Sequence, residues 1–169
     1  MRLLGTLLLT GGAVLLGLSA AQRTKWRVRD LRMLVDGLRT MQRELSYRLA
    51  PLPELLCSAE EVGRGSVKQF FFLCAQGAER LNGKTFQSVW NQAIQDSRMC
   101  LLLDDLHCLE ALGAVLGRYD SENQRQAIQT TISRLEELCE EAQTQSVRLG
   151  KLYSVLGLTV GAFLMILLV

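Results

Sequence analysis

The sequence predicts an all-α fold: a six-helix cytoplasmic bundle flanked by one transmembrane helix at each terminus. Two uncharged apolar runs, residues 3–22 and 152–169, bound the chain. Between them apolar residues recur at spacings of three and four, which is typical of amphipathic helices. No stretch of strand length alternates apolar and polar residues with β-branched enrichment, so no strand is predicted. We therefore divide the chain into an N-terminal membrane helix (1–22), a helical domain (23–151) and a C-terminal membrane helix (152–169).

Each apolar run has the length that a bilayer requires. A helix rises about 1.5 Å per residue, so the two runs span roughly 27 to 30 Å. The hydrocarbon core of a bilayer is about 30 Å thick. Core helices of soluble proteins are seldom so long and so uniformly apolar. The runs therefore predict two membrane spans, and neither contains an ionisable residue that would indicate an ion path.

Basic residues next to the runs predict the orientation. They follow the first run and precede the second, at Arg23, Lys25, Arg27, Arg29, Arg148 and Lys151. Since positive charge near a membrane segment favours the cytoplasmic side, the central domain is expected in the cytoplasm and both termini outside. The predicted location is the cell membrane, with two passes.

A cleaved signal peptide is the alternative interpretation of the N-terminus. Ser19, Ala20 and Ala21 would form a small-residue cleavage site. The basic cluster of a signal peptide should precede its apolar run, whereas here it follows. Export would also carry five cysteines, an odd number, into an oxidising compartment. Retention is favoured, and cleavage stays open.

The first two helices of the domain are separated by prolines. An apolar stripe defines the first helix: Leu31, Leu34, Val35, Leu38, Met41, Leu45 and Leu49. It should end where Pro51 and Pro53 occur, because a residue before proline is disfavoured in helical geometry. Pro53 can open the second helix at its first position. Gly63 and Gly65 are expected to end that helix.

Turn and cap signals divide the rest of the domain. A third helix is predicted over 67–81, followed by an Asn-Gly turn and by Thr85 as N-cap of a fourth helix. A fifth helix is predicted over 101–116, ending at Gly117. Asp120 is the expected N-cap of the last helix, which no proline interrupts and which should continue into the second apolar run. Gly150 is its weakest point.

No residue constellation predicts an enzyme, a metal site or a cofactor. Asp104, Asp105 and His107 are close in sequence, but His107 is the sole histidine, and the acids suit the positive end of a helix dipole as solvated groups. The cysteines lack metal-ligand spacing and are interpreted as reduced, mostly buried thiols. An acidic face at 136–141 is interpreted as solvated, although it could dock a basic partner. Acidic and basic residues balance, so nucleic acid is not an expected partner.

Small residues in the membrane runs predict helix–helix contact. Gly157 and Gly161 form a GxxxG motif, and Ala13, Gly17 and Ala21 repeat small residues at the same spacing. Small residues let helices approach closely in lipid. The contact would lie within one chain or between copies in a homo-oligomer. Chance composition is the alternative.

Several short motifs together resemble one family. The segments 44–47 (ELSY) and 51–55 (PLPEL), the glycines at 113 and 117 with the following 120–124, and the ending from 153 are similar to the stage III sporulation protein AB family. The resemblance covers essentially the whole chain. Its motif and structural positions are Glu44, Tyr47, Pro51, Pro53, Gly113, Gly117 and Asp120.

The resemblance implies a fold and a role. That family is similar to the cytoplasmic domain of GspF-type platform proteins of type II secretion, which implies the six-helix bundle. It also implies a non-enzymatic platform component of the sporulation channel complex between mother cell and forespore. The implied partners are a secretion-type ATPase and other channel subunits. Platform proteins generally have two such domains and three spans, so a repeat here would require self-association.

Two other function classes are less favoured. A membrane-tethered signalling module has almost no residues outside the membrane with which to sense a signal. A membrane-bound hydrolase would need a polar constellation that the sequence lacks.

Overall fold

The structure is a computed structural model. It describes the backbone of residues 2–48, 50–81, 83–117 and 121–168, and within these ranges the side chains of 22–47, 50–81, 83–117 and 122–148. These ranges contain six helices and no strand, as the sequence predicted. The helices are α1 (Arg2–Arg48), α2 (Leu52–Val62), α3 (Gly65–Glu79), α4 (Phe86–Ser97), α5 (Leu103–Val115) and α6 (Ser121–Leu168).

The two long helices contain the apolar runs. The sequence analysis counted the first run as a helix separate from the bundle, but α1 continues from Arg2 to Arg48 without interruption. No proline precedes Pro51, so nothing in this stretch removes a helical hydrogen bond. The expected continuation of the last helix into the second run is confirmed, because α6 extends to Leu168.

The predicted membrane helices are not tested by the structure. Apart from Gln22, the side chains of 1–22 and 152–169 lie outside the described residues, as do those of Ala13, Gly17, Ala21, Gly157 and Gly161. Among the described residues, no helix contains an apolar stretch sufficient to cross a membrane. The chain divides into two compact units, one of Arg27–Glu140 and one that joins Met1–Trp26 with Glu141–Val169.

Within the Arg27–Glu140 unit the helices run alternately up and down. In this unit α2 packs on α3, α3 on α4, and α4 on α5. The middle of α1, where that helix enters the unit, meets the beginning of α3 through a bond between Asp30 and Ser66, and meets the chain after α4 through Asp30 and Cys100. We call this the entry end of the unit, and the end where α1 finishes and α2 begins the distal end.

The core follows the predicted stripes. In α1 the stripe residues from Leu31 to Leu45 are buried, and Leu49 lies outside the described residues. The α6 stripe is buried as well, at Ile128, Ile132, Leu135, Leu138 and Cys139. Aromatic rings fill the centre: Phe70 and Trp90 pack edge to face with centroids 4.8 Å apart.

Glycine allows two close helix contacts in this core. A Cβ on Gly113 would lie 2.3 Å from Cδ1 of Trp90, and one on Gly37 would lie 2.5 Å from Cε2 of Phe71. Trp90 also donates its indole N–H to the Leu109 carbonyl at 2.8 Å, so the buried ring leaves no polar group unpaired. Helix α5 is thereby positioned against α4.

The helix boundaries differ slightly from prediction. Helix α2 begins at Leu52, with Pro51 as its N-cap, so Pro53 occupies the second helical position instead of the first. Gly63 caps α2 as expected, but Gly65 begins α3 with a left-handed φ of 57°. The predicted N-cap Thr85 is confirmed, because its hydroxyl accepts the Ser88 N–H.

Candidate functional site

The described residues contain no cluster that could bind a metal ion. No group of three or more His, Cys, Asp or Glu side chains among them could hold a metal ion. His107 and Asp104 are exposed, and Asp105, which the sequence analysis took for a solvated acid, is fully buried. That interpretation of Asp105 was wrong. Its charge is balanced inside the protein.

The five cysteines are free thiols, and the surroundings of three of them raise the thiol pKa. Burial raises the pKa of Cys74, and burial together with nearby Glu60 raises the pKa of Cys57. Burial also raises the pKa of the half-buried Cys108, against the opposing effect of Arg134. The thiolate is the nucleophile, so these thiols lack the activation of a catalytic cysteine. The expectation of mostly buried thiols holds for Cys74 and Cys139, but Cys57 and Cys100 are exposed.

A buried ion pair crosses the entry end. Arg27 donates from Nε to Asp105 Oδ2 and from Nη2 to Asp105 Oδ1, both at 2.7 Å. The exposed fraction of the side chain is 9% for Arg27 and 0% for Asp105. Asp105 Oδ2 also accepts the Leu102 N–H at 2.8 Å. The pair therefore ties the middle of α1 to the beginning of α5, and Asp105 caps α5.

A second buried carboxylate joins three segments at the same end. Asp30 Oδ2 accepts from the Ser66 hydroxyl at 3.1 Å and from the Cys100 N–H at 3.0 Å. Asp30 Oδ1 accepts from Arg29 Nη2 at 3.0 Å. Asp30, Asp105 and Arg27, which we call the entry-end network, hold α1, α3 and the chain after α4 together. These bonds all join parts of the same chain, which gives the network a structural role.

Helical register is the signal that could have revealed this network. Arg27 is four residues before Leu31 and seven before Leu34, which are buried in α1. Asp105 has the same spacing to Leu109 and Leu112 of α5. Residues at these spacings share one helix face. A charged residue at helical spacing from buried apolar residues is predicted to be buried with them. A buried charged side chain requires a partner of opposite charge.

The other predicted topology-setting residues have different surroundings. Arg23, Lys25 and Arg148 are exposed, and Arg29 is half exposed beside Asp30. Lys151 lies outside the described side chains. The acidic face of α6 is partly paired: Glu136 bonds with Arg39, and Glu137 with Arg134.

An apolar cleft opens at the distal end. It has a volume of about 390 Å³ and is built from the beginning of α2, the end of α3, the beginning of α4 and the end of α5. Its lining is mostly apolar and includes Leu52, Pro53, Leu81, Phe86 and Leu116. Lys84, Thr85 and Gln87 add polar groups. A concave apolar surface with a few polar groups is typical of a docking site.

Two of the motif residues meet in this cleft. Pro53 and Gly117 both line it, and Gly117 has a left-handed φ of 78° that favours glycine. A Cβ on Gly117 would lie 3.3 Å from Cβ of Phe86.

The remaining motif residues lie elsewhere. Tyr47 precedes α2 in the chain and is 88% exposed, Glu44 is half-buried, and Pro51 is exposed. Gly113 packs on Trp90 in the core, and Asp120 lies outside the described residues.

A second open groove lies between α5 and α6. Its volume is about 470 Å³, and its lining is small or uncharged, with Ala111, Val115, Gln126, Ala127 and Thr130. It contains no group that would bind a ligand by charge.

A family comparison identifies the whole chain. A protein-family model described as stage III sporulation protein AB matches residues 2–169. The chain belongs to the stage III sporulation protein AB family. The resemblance drawn from the motifs is thereby confirmed, and membership in this family associates the chain with sporulation.

A solved structure supports the fold. The chain is similar to one described as stage III sporulation protein AB, with a TM-score of 0.65 and 19% sequence identity. The match covers 72% of this chain and 97% of that one. At this identity the likeness concerns the fold alone. A comparison with curated protein sequences gives no match.

Proposed function

We propose that this member of the stage III sporulation protein AB family is a non-enzymatic, membrane-anchored assembly component of the sporulation channel complex between mother cell and forespore. Its helical domain would be presented on the cytoplasmic face to a secretion-type ATPase and to other channel subunits. The observation that carries the proposal is the family match over residues 2–169, which includes both apolar runs. The two runs would anchor the domain in the cell membrane as a two-pass protein.

The chemistry of the domain supports a binding role. The buried acids of the entry end are bonded to groups of the same chain. The pKa values of Cys57, Cys74 and Cys108 are raised by burial, which disfavours the reactive thiolate. An assembly component needs a rigid surface, and the packed Trp90 core supplies one.

The distal end is the surface that we assign to the ATPase. The chain connections to both apolar runs leave the Arg27–Glu140 unit from the entry end, since Cys139 Sγ lies 3.8 Å from the Val28 carbonyl. The distal cleft is therefore not constrained by those connections. Exposed Tyr47 lies at this end, and tyrosine is enriched among residues that dominate binding energy.

Charge substitution in the cleft tests this assignment. Leu81 lines the cleft and is 38% exposed, so Leu81→Glu should leave folding intact while placing a charge on the apolar surface. Phe72→Glu is the matched control, because Phe72 is 46% exposed on α3 and does not line the cleft. The measurement is cross-linking and co-purification of partner subunits from sporulating cells, beside a spore count. We expect Leu81→Glu to lose co-purification of the partner subunits and to lower the spore count. Phe72→Glu should leave the co-purification and the spore count unchanged. Normal assembly with Leu81→Glu would contradict the cleft assignment.

The anchors have a test of their own. Gly157→Leu with Gly161→Leu should preserve insertion, because leucine is at least as apolar, but should impair assembly by separating closely packed helices. A membrane-fraction blot measures insertion, and the same co-purification measures assembly. Normal insertion with normal assembly would show that close packing at Gly157 and Gly161 is not needed for assembly.

A further inference from the structure

The segment between α4 and α5 exposes apolar side chains to solvent. Residues 98–103 read Arg-Met-Cys-Leu-Leu-Leu, and we call them the α4–α5 loop, including Leu103, the first residue of α5. Leu102 is 55% exposed and Leu103 is 71% exposed. Single exposed leucines are ordinary, but two consecutive ones in a loop form a protruding apolar surface.

Three backbone donors of this loop are bonded within the protein. The Cys100 N–H donates to Asp30, the Leu102 N–H donates to Asp105, and the Leu101 N–H donates to the Met99 carbonyl. An unpaired backbone group is costly in an apolar environment. With these three donors already bonded, the cost of bringing the loop into such an environment is reduced, and the side chains of Leu102 and Leu103 are exposed to it.

The loop lies at the entry end, where the chain leads to the apolar runs. Arg27, which is bonded to Asp105, follows Gln22 by five residues. Five residues span at most about 17 Å even when fully extended. If the first run is embedded in a bilayer, the covalent chain keeps the loop near that bilayer's surface.

A cation lies at the base of the loop. Arg98 is exposed and has a left-handed backbone, with φ 51° and ψ 40°, at the C-cap of α4. Glycine is the usual residue at such a position, and an arginine there is strained. Cations near the surface are attracted to anionic lipids. Asp104 follows Leu103 and is exposed, so the leucines, more than net charge, provide the attraction.

We propose that the α4–α5 loop is a membrane-contacting loop, which inserts Leu102 and Leu103 into the interface of an anionic bilayer, with Arg98 at the lipid headgroups. The proposal rests on the membrane anchoring proposed above. It gives the domain a third attachment to the bilayer besides its two chain connections. Three attachments fix the orientation of the distal cleft relative to the membrane.

Native cysteines provide the probe and its control. In the full chain, Cys57→Ser with Cys108→Ser leaves Cys100 as the exposed thiol in the loop, because Cys74 and Cys139 are buried. Cys100→Ser with Cys108→Ser leaves Cys57, midway along α2, as the matched control. Each variant is labelled with nitrobenzoxadiazole and reconstituted into vesicles of phosphatidylcholine and phosphatidylglycerol, with or without nitroxide-labelled acyl chains. Flotation reports anchoring, and nitroxide quenching reports contact of the label with the bilayer.

We expect both labelled chains to float and only the Cys100 label to be quenched. Adding Leu102→Ser and Leu103→Ser should lower the equilibrium constant for contact between the loop and the bilayer about tenfold or more. The melting temperature should not fall, because both side chains are exposed. Chains that fail to float would overturn the anchoring and the loop proposal together. Floating chains whose Cys100 label is quenched no more than the Cys57 label would overturn the loop proposal alone. That second result is also expected if a protein, rather than lipid, covers the loop.

The role of Arg98 is tested with Arg98→Gly. Glycine relieves the backbone strain, so the variant should melt at the same temperature or higher. Quenching of the Cys100 label should nevertheless fall in vesicles with phosphatidylglycerol and stay unchanged in pure phosphatidylcholine. An equal effect in both lipids, or no effect in either, would exclude Arg98 from the lipid contact.

Discussion

Removing one member of the buried ion pair should be the most damaging single change at the entry end. In Asp105→Ala, the guanidinium of Arg27 loses both of its 2.7 Å bonds but remains in a site where its side chain is 9% exposed. The Leu102 N–H loses its acceptor as well, and α5 loses its cap. The substitution thus removes the carboxylate that balances a buried charge and accepts a backbone N–H.

The expected cost follows from these losses. Breaking a buried ion pair by removing one partner typically costs about 3–5 kcal/mol, because the other charge stays buried. A folded domain of this kind is stable by only about 5–15 kcal/mol. Asp105→Ala should therefore remove a large part of the free energy of unfolding. Replacing both partners, in Arg27→Met with Asp105→Leu, should cost much less than the sum of the two single changes, because no charge remains to be desolvated.

The assay is urea denaturation of the full chain in detergent micelles, followed by tryptophan fluorescence in a Trp26→Phe background, in which Trp90 is the remaining tryptophan. Glu136→Ala is the matched control, because Glu136 also pairs with an arginine but is 40% exposed. A surface pair contributes about 0–1 kcal/mol, so this variant should unfold close to the wild type. Two results would contradict the cost assigned to an unbalanced buried charge. One is an Asp105→Ala variant that unfolds at the same urea concentration as Glu136→Ala. The other is a double variant whose loss of stability equals the sum of the losses in the two single variants.

Three further changes probe the rest of the domain. Replacing Pro51 and Pro53 by alanine should let α1 extend and displace α2, at a cost of about 1–3 kcal/mol; an unchanged melting temperature would show that the turn is not structural. Gly113→Ala should cost at least about 1–3 kcal/mol, because its Cβ would lie 2.3 Å from the Trp90 ring, and unaltered Trp90 fluorescence and stability would contradict that packing. Burial raises the pKa of Cys74 above its usual 9.0, so above that pH the unfolded chain releases the proton while the folded chain keeps it. The free energy of unfolding should then fall more steeply with rising pH than in Cys74→Ala, by up to about 1.4 kcal/mol per pH unit, and equal slopes would exclude this contribution.

Local patterns in the sequence were sufficient to predict the helices. The apolar spacing from Leu31 to Leu45 gave the buried face of α1, and Thr85 gave the beginning of α4 through a bond to a residue three positions later. These features depend on neighbours within one turn of helix, which a single sequence contains. The motif residues Pro53 and Gly117 were identified by resemblance. Their meeting in one cleft depends on how α2 and α5 pack, which no local pattern specifies.

The entry-end network was missed because it joins distant parts of the chain. Arg27 and Asp105 are separated by 78 residues, and each has a reasonable local explanation as a membrane-flanking cation or a helix-start anion. The α4–α5 loop was mistaken for part of α5 for the same reason. Leu102 fits the apolar stripe of a helix over 101–116, but Asp105 accepts its N–H, and the helix begins only at Leu103.

The position of the buried pair suggests why a bundle of this size keeps it. Buried pairs add little net stability compared with apolar residues of similar volume, so the pair is better explained by specificity than by stability. Sliding α5 along its axis by one helical turn, about 5.4 Å, would break both bonds of Arg27. We infer that the pair selects the register of α5. That register brings Gly113 to the Trp90 ring and places Gly117, at the end of the same helix, in the distal cleft. The geometry of the proposed docking surface is thus set at the opposite end of the domain.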